Sequence, residues 1–270
     1  MKLVIISTTP DRRPETPLGA LGGDKGLFVA EVEQAIRDGR ADAAVHSLKD
    51  VPGDLPEDME LVALPERADP RDALLTRANV PLNGLPQGAH VGTSALRRRG
   101  QLLRLRPDLR ISEVRGNVDT RVRKLREGQF DAMLLASAGL DRLGLDGEIA
   151  ERLPFEKMLC AAGQGAMAVE APVGTAFSNL WRQLDNAEVR TCIEAERTFV
   201  RAIGADCNSA AGCLCEVHGE EVRLRAVVIS SDGAQSLNFD EQGLACATDD
   251  LAMRAAEEML RQGARAILSQ

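Results

Sequence analysis

Ala41-Asp42-Ala43-Ala44-Val45-His46-Ser47-Leu48-Lys49-Asp50-Val51-Pro52 is the stretch on which the fold turns. Its apolar run predicts a buried strand over 41–46, and the residues behind it, Ser47, Lys49 and Asp50, then sit at the strand's carboxyl end. Open α/β sheets take their ligands there. Lys49 suits a carboxylate. Asp50 beside an anion is unfavourable unless a cation faces it, and a ligand carrying both acid groups and an amine satisfies both residues. On pattern alone Asp50 reads equally as a turn residue ahead of Val51-Pro52, and His46 reads as a core histidine.

On either side of this stretch, short apolar runs alternate with helical periodicity, the pattern of parallel α/β architecture. Strands are expected over 3–8, 60–64, 72–76, 89–91, 109–114 and 131–136, and helices over 27–38, 95–106, 118–127 and 138–143. In Pro65-Glu66-Arg67-Ala68-Asp69-Pro70 the two prolines interrupt any regular element and mark a crossing between domains. A second crossing is expected over 159–164, with the chain returning to the first domain over 166–185. From 188 the pattern becomes a helix to about 202, strands over 214–217, 222–229 and 235–238, and a helix over 249–263. The expected division is 1–66 with 166–185 as a first α/β domain, 70–160 as a second, and 188–270 as a small α+β domain.

Charge narrows the ligand. Between Arg97 and Arg126 stand ten Arg and one Lys against Asp108, Glu113 and Asp119, a local net charge of +8 in a chain whose total is −8. Arginine's planar fork grips carboxylate or phosphate bidentately, which points to a polyanion. Nucleic acid is disfavoured: the sequence has no Tyr, one Trp and six Phe for stacking, and its pI is near 5.1. A small polycarboxylate or phosphate in a cleft fits better.

Two segments carry the features of an anion seat. In Gly92-Thr93-Ser94-Ala95-Leu96-Arg97-Arg98-Arg99, Ser94 is the natural N-cap of a helix whose first turn is cationic. Arginines there oppose the helix dipole, and a bound anion reverses that penalty. Arg115-Gly116-Asn117 repeats the arrangement, with Asn117 capping a helix that carries Arg121. Two cationic helix starts suggest several acid groups held together. In Ala161-Ala162-Gly163-Gln164-Gly165-Ala166 the glycines flanking Gln164 allow close backbone approach or a hinge.

The chain has no run of about 18 apolar residues and no export signal at its start, so a cytoplasmic protein with its six cysteines as free thiols is expected. Cys207, in Asp206-Cys207-Asn208-Ser209, reads on pattern as an inert loop cysteine. Cys213-Leu214-Cys215 is a weak metal signal without a second pair, and no metal is expected.

Taken in order, Lys25-Gly26-Leu27-Phe28, the 42–52 stretch, the Gly92 to Arg98 run, Arg115-Gly116-Asn117, Ala138-Gly139-Leu140-Asp141-Arg142-Leu143 and Gly163-Gln164-Gly165-Ala166 closely resemble the porphobilinogen deaminase (hydroxymethylbilane synthase) family. The resemblance implies two periplasmic-binding-protein-like domains with a cleft between them, plus a small C-terminal α+β domain. It implies a dipyrromethane cofactor joined by a thioether to Cys207, and condensation of four porphobilinogen units with loss of ammonia in tetrapyrrole and heme biosynthesis. Asp50 matches the catalytic aspartate. Ser47, Lys49, Thr93, Arg97, Arg98, Asn117, Arg121 and Gln164 match residues that hold the cofactor, and Arg115, Arg121 and Arg142 those that hold substrate. A monomer without nucleic-acid or membrane partners is implied as well.

The sequence departs from the family in several places. The family opens with a strand and helix bearing an Arg and a Ser that reach the cleft, and this sequence starts at what corresponds to the second strand. Ala95 stands where a second Ser is usual, Ala205-Asp206 replace Gly-Gly, and Ala210 replaces Pro. A non-catalytic module that binds a tetrapyrrole or another polycarboxylate on the same scaffold is therefore the competing expectation.

Overall fold

A computed structural model describes residues 2–6, 8, 26–175, 178–206 and 209–269. In chain order the elements are α1 (Gly26–Arg37), β1 (Ala44–Ser47), β2 (Met59–Ala63), β3 (Asp72–Thr76), β4 (His90–Gly92), α2 (Leu96–Leu105), β5 (Arg110–Ser112), α3 (Val118–Arg126), β6 (Ala132–Ala136), α4 (Ser137–Arg142) and β7 (Glu151–Arg152). They continue with β8 (Met167–Pro172), α5 (Ser178–Trp181), α6 (Ala187–Ile203), β9 (Ala211–His218), β10 (Glu221–Ile229), β11 (Ser236–Leu244), α7 (Thr248–Arg261) and α8 (Ala264–Leu268).

Three sheets organise these elements into three units. The first has the order β1-β8-β2, so the returning strand β8 is its centre and runs antiparallel to both neighbours. The second has the order β5-β4-β6-β3-β7, with β4 parallel to β5 and β6 and β3 antiparallel to β6 and β7. The third is the antiparallel ribbon β11-β10-β9, covered by α6 and α7 around Phe199, Leu224, Leu251 and Met259.

The first sheet is therefore antiparallel and the second mixed where the sequence pattern predicts parallel ones. Apolar runs report burial on both faces, not direction, and direction is set by the crossovers. Of the strand expected over 3–8, the described residues 3–6 and 8 form no regular structure, and Leu3 and Ile5 are 82% and 86% exposed. An extended segment becomes a strand only against a neighbouring ladder, and no described strand pairs with it.

The chain crosses from β2 to β3 through 64–71 and from β7 back to β8 through 153–166. Both crossings meet at Glu196, a fully buried carboxylate on α6. Arg67 of the first crossing donates to it through Nη1 at 2.6 Å and Nη2 at 3.1 Å. The Gly163 amide of the second donates at 2.7 Å, and the Cys215 amide of β9 at 2.9 Å. Four donors compensate the desolvation of a charge that burial alone makes costly. At Gly165, where φ is +87°, a Cβ would collide with the Ala68 carbonyl oxygen, so only glycine lets the two crossings touch.

α6 also joins two cores. Its Ile193 packs with Leu48, Val51, Leu64, Ala166 and Ala168 of the first unit, while Cys192, Ala195, Phe199 and Ile203 lie in the third. Replacing Glu196 with Ala leaves Arg67 buried without its partner and should lower stability by about 3–5 kcal/mol, measured by urea unfolding.

Candidate active site

The strand expected over 41–46 forms as Ala44–Ser47 and is buried only on alternate residues, with Val45 63% exposed; the stretch ends beside the second crossing. β1 closes into a 3-10 turn over Leu48–Asp50, and the Leu48 amide donates to the Ala166 carbonyl at 3.1 Å. This sets Lys49 and Asp50, both half-buried, next to the Gln164 segment, while Ser47 is exposed. His46 behaves as the core residue expected from its position: its Nε2 lies 2.8 Å from Oε2 of the fully buried Glu170 on β8.

The two cationic helix starts are used differently from one another. α2 begins at Leu96 with Ala95 as N-cap and no side-chain cap. Ser94, expected to cap it, instead donates its hydroxyl to the Val114 carbonyl at 2.6 Å, tying the two helix-start loops together. Thr93 is buried behind it. Asn117 does cap α3, its side chain accepting from the Thr120 amide at 2.9 Å, although the residue is exposed.

Arg97 and Arg98 are buried and converge on Asp72, a residue that the sequence reading did not single out. Arg97 Nη1 donates to Asp72 Oδ2 at 2.7 Å and to the Leu159 carbonyl. Arg98 donates to Asp72 Oδ1 from Nε at 3.0 Å and from Nη2 at 2.7 Å, and to the Leu134 carbonyl at 3.1 Å. Gln164 completes the cluster, with Nε2 donating to Asp72 Oδ1 at 2.8 Å and to the Pro70 carbonyl at 2.7 Å. Burial favours the protonated form of Asp72, but the two guanidiniums outweigh it and hold the carboxyl well below the usual carboxylate range. Gln164 is thus an internal strut between crossings, fully buried.

Arg121 differs. It is half-buried, makes no ion pair among the described residues, and donates only to the Gly116 carbonyl at 2.7 Å. Burial pulls its pKa down, the Arg98 guanidinium adds to that, and the Asp50 carboxylate opposes it. Arg121 therefore lies within electrostatic reach of both Asp50 of the first unit and Arg98 of the second. A partly desolvated guanidinium without a carboxylate is a seat for an incoming acid group.

The other expected residues lie further out. Arg115 is exposed and paired with Glu113 at 3.2 Å. Arg142 reaches back to donate to the Gly165 carbonyl at 2.8 Å, beside Gln164. Cys207 lies outside the described residues; next to it, Asp206 and Ser209 close a turn in which the Asp206 amide donates to Ser209 Oγ at 2.9 Å. Five other cysteines are unbridged, and burial pushes the Cys160 thiol up to about 12. Cys213 and Cys215 sit in the third core.

Fold and site together define a three-unit α/β protein in which Asp50 of the first unit lies within electrostatic reach of Arg121 of the second, and an α+β unit holds both crossings through Glu196. Two family models match the chain: "Porphobilinogen deaminase, dipyromethane cofactor binding domain" over residues 1–176, which spans the first two units, and "Porphobilinogen deaminase, C-terminal domain" over 190–261. The porphobilinogen deaminase of Roseiflexus sp. (strain RS-1) is 48% identical over 98% of this chain and 87% of its own length. That of Brevibacillus brevis is 44% identical over 98% of this chain and 85% of its own. The chain belongs to the porphobilinogen deaminase family. Among solved structures, a YaeC-family lipoprotein of Enterococcus faecalis aligns over 62% of this chain and 78% of its own, with 14% identity and a TM-score of 0.37.

The Asp72 cluster gives a pH prediction. Because the folded-state value is depressed, its stabilisation is complete above the unfolded value of about 4 and is lost as pH falls through the folded value below that. Asp72→Asn should unfold about 3–5 kcal/mol more easily at neutral pH. Its urea midpoint should also decline less steeply than that of the unsubstituted protein between about pH 5 and pH 2.

Proposed function

We propose that this chain is a hydroxymethylbilane synthase, a transferase that condenses four porphobilinogen units head to tail with loss of ammonia to give hydroxymethylbilane. The observation that carries this reading is Arg121, a half-buried guanidinium with no ion pair among the described residues and within electrostatic reach of Asp50, in a chain of the porphobilinogen deaminase family. Each porphobilinogen carries an acetate, a propionate and an aminomethyl group. Cations must therefore line the cleft, with one anion among them where the amine leaves.

The family's dipyrromethane cofactor supplies, when bound, the pyrrole terminus to which the first unit is joined. The residues present fit such a group: Arg121 is partly desolvated without a carboxylate partner among the described residues, and Lys49 stands on the same turn as Asp50. We assign its holding to Cys207 as covalent anchor, with Ser47, Lys49, Thr93, Arg97, Arg98, Asn117, Arg121 and Gln164. Arg97, Arg98 and Gln164 contribute chiefly by fixing the cleft wall through Asp72. Arg115, Arg121 and Arg142 are assigned to substrate carboxylates.

Asp50 is the catalytic residue in this reading. Its carboxylate stabilises the positive charge that develops on the porphobilinogen ring as ammonia departs. Partial burial of the turn over Leu48–Asp50 strengthens that interaction relative to water. The same reading takes residues 1–66 with 166–185, 70–160 and 188–270 as the three domains. It also takes the chain as a cytoplasmic monomer without nucleic-acid partners; no helix among the described residues is long and apolar enough to cross a membrane.

Asp50→Ala should abolish conversion of porphobilinogen while intact mass still shows the dipyrromethane adduct; an unchanged rate defeats the assignment. Cys207→Ser should lose that adduct and give no red colour with acidic aldehyde reagent. Arg121→Leu should lower kcat/KM by about 10- to 100-fold, since a charge-assisted hydrogen bond contributes roughly 1.5–3 kcal/mol.

A further inference from the structure

Arg197 is a half-buried cation whose hydrogen bonds go to main chain: its Nη2 donates to the Pro52 carbonyl at 2.9 Å and to the Gly53 carbonyl at 2.7 Å. It makes no ion pair among the described residues. Burial lowers its pKa, the Arg201 guanidinium one turn on adds to that, and Asp54 and Glu170 oppose it. Holding a charge there is unfavourable unless the contacts it makes are useful.

Those two carbonyls lie two and three residues beyond Asp50. The intervening Val51 is buried in the first-unit core, and its amide closes the 3-10 turn onto the Leu48 carbonyl at 2.9 Å. The segment is thus held from below by the Val51 side chain and from the third unit by one guanidinium. Space there is tight as well, since a Cβ on Gly53 would stand 3.0 Å from Arg201 Cγ. On the helix side Arg197 cannot drift: Glu196 beside it is fixed by four donors and Phe199 is fully buried.

We infer that Arg197 is a positioning residue, which fixes the turn carrying Asp50 by clamping the Pro52 and Gly53 carbonyls from the third unit. The inference rests on Asp50 as the catalytic carboxylate. Through this clamp, the unit assigned to anchor the cofactor also registers the carboxylate that acts on the incoming substrate. Any shift of α6 relative to the first sheet then moves Asp50.

Three readouts on the full chain test this: hydrogen exchange of the 48–55 backbone, steady-state kinetics with porphobilinogen, and urea midpoints. Arg197→Gln should speed exchange of that segment by about tenfold or more. It should lower kcat by about 10²-fold, the effect of a small misplacement of a reacting group, with KM within about threefold. Arg197→Lys, which keeps the charge but lacks the fork, should fall between the two proteins in both respects and serves as the test should Arg197→Gln not fold. Arg182→Gln, which removes an exposed pair with Glu60, is the control and should leave exchange and kcat unchanged.

Unaltered exchange of 48–55, or faster exchange with unaltered kcat, overturns the inference. So does a loss of kcat that simply tracks the urea midpoint. Failure of the functional reading is separable: Asp50→Ala then retains turnover, whereas the exchange data still report whether the clamp exists.

Discussion

A single carboxylate, Glu196, collects the three units of this protein. It accepts two hydrogen bonds from Arg67, one from the Gly163 amide and one from the Cys215 amide, and so binds both inter-unit crossings and the third sheet at one buried point. A buried charge tolerates little displacement of its donors, because each lost contact exposes an uncompensated desolvation cost. The relative placement of the sheets follows from that constraint.

Asp72 does the same one layer away. It lies at the start of β3, directly after the first crossing, and is held by Arg97, Arg98 and Gln164 of the second crossing. Two of the arginines that mark the chain as polyanion-binding are therefore partly neutralised from within. This internal pairing distinguishes the walls of the cleft from its working surface. Arg121, without such a partner among the described residues, is left to meet an external acid group, with Asp50 opposite it. The chemistry of a substrate that is both acidic and aminated maps onto that contrast.

Much of this was legible in particular residues. The small-residue segment around Gln164 and the Asn117 cap have local physical causes and appear where spacing places them, while the strand expected over 41–46 is shifted to 44–47 and only half-buried. Glu196 left a readable signal that went unused: with Cys192, Phe199 and Ile203 it occupies the apolar stripe of α6, where a charge implies a buried partner. Asp72, opening an otherwise apolar strand, is a similar signal. Ser94 misled because a hydroxyl before a helix has two nearby uses, and the Val114 carbonyl of an adjoining loop took it.

What the sequence determined by itself was composition and period: short apolar runs alternating with helices, two chain crossings, and a cationic segment in an acidic chain. Only the tertiary structure decided strand direction, the central position of β8, and which arginines are paired internally. Those outcomes depend on contacts between residues 25 to about 130 positions apart, such as Arg97 with Asp72 and Arg67 with Glu196. Local propensity carries no information about such pairs, whereas the desolvation of a buried charge fixes them once the chain has closed.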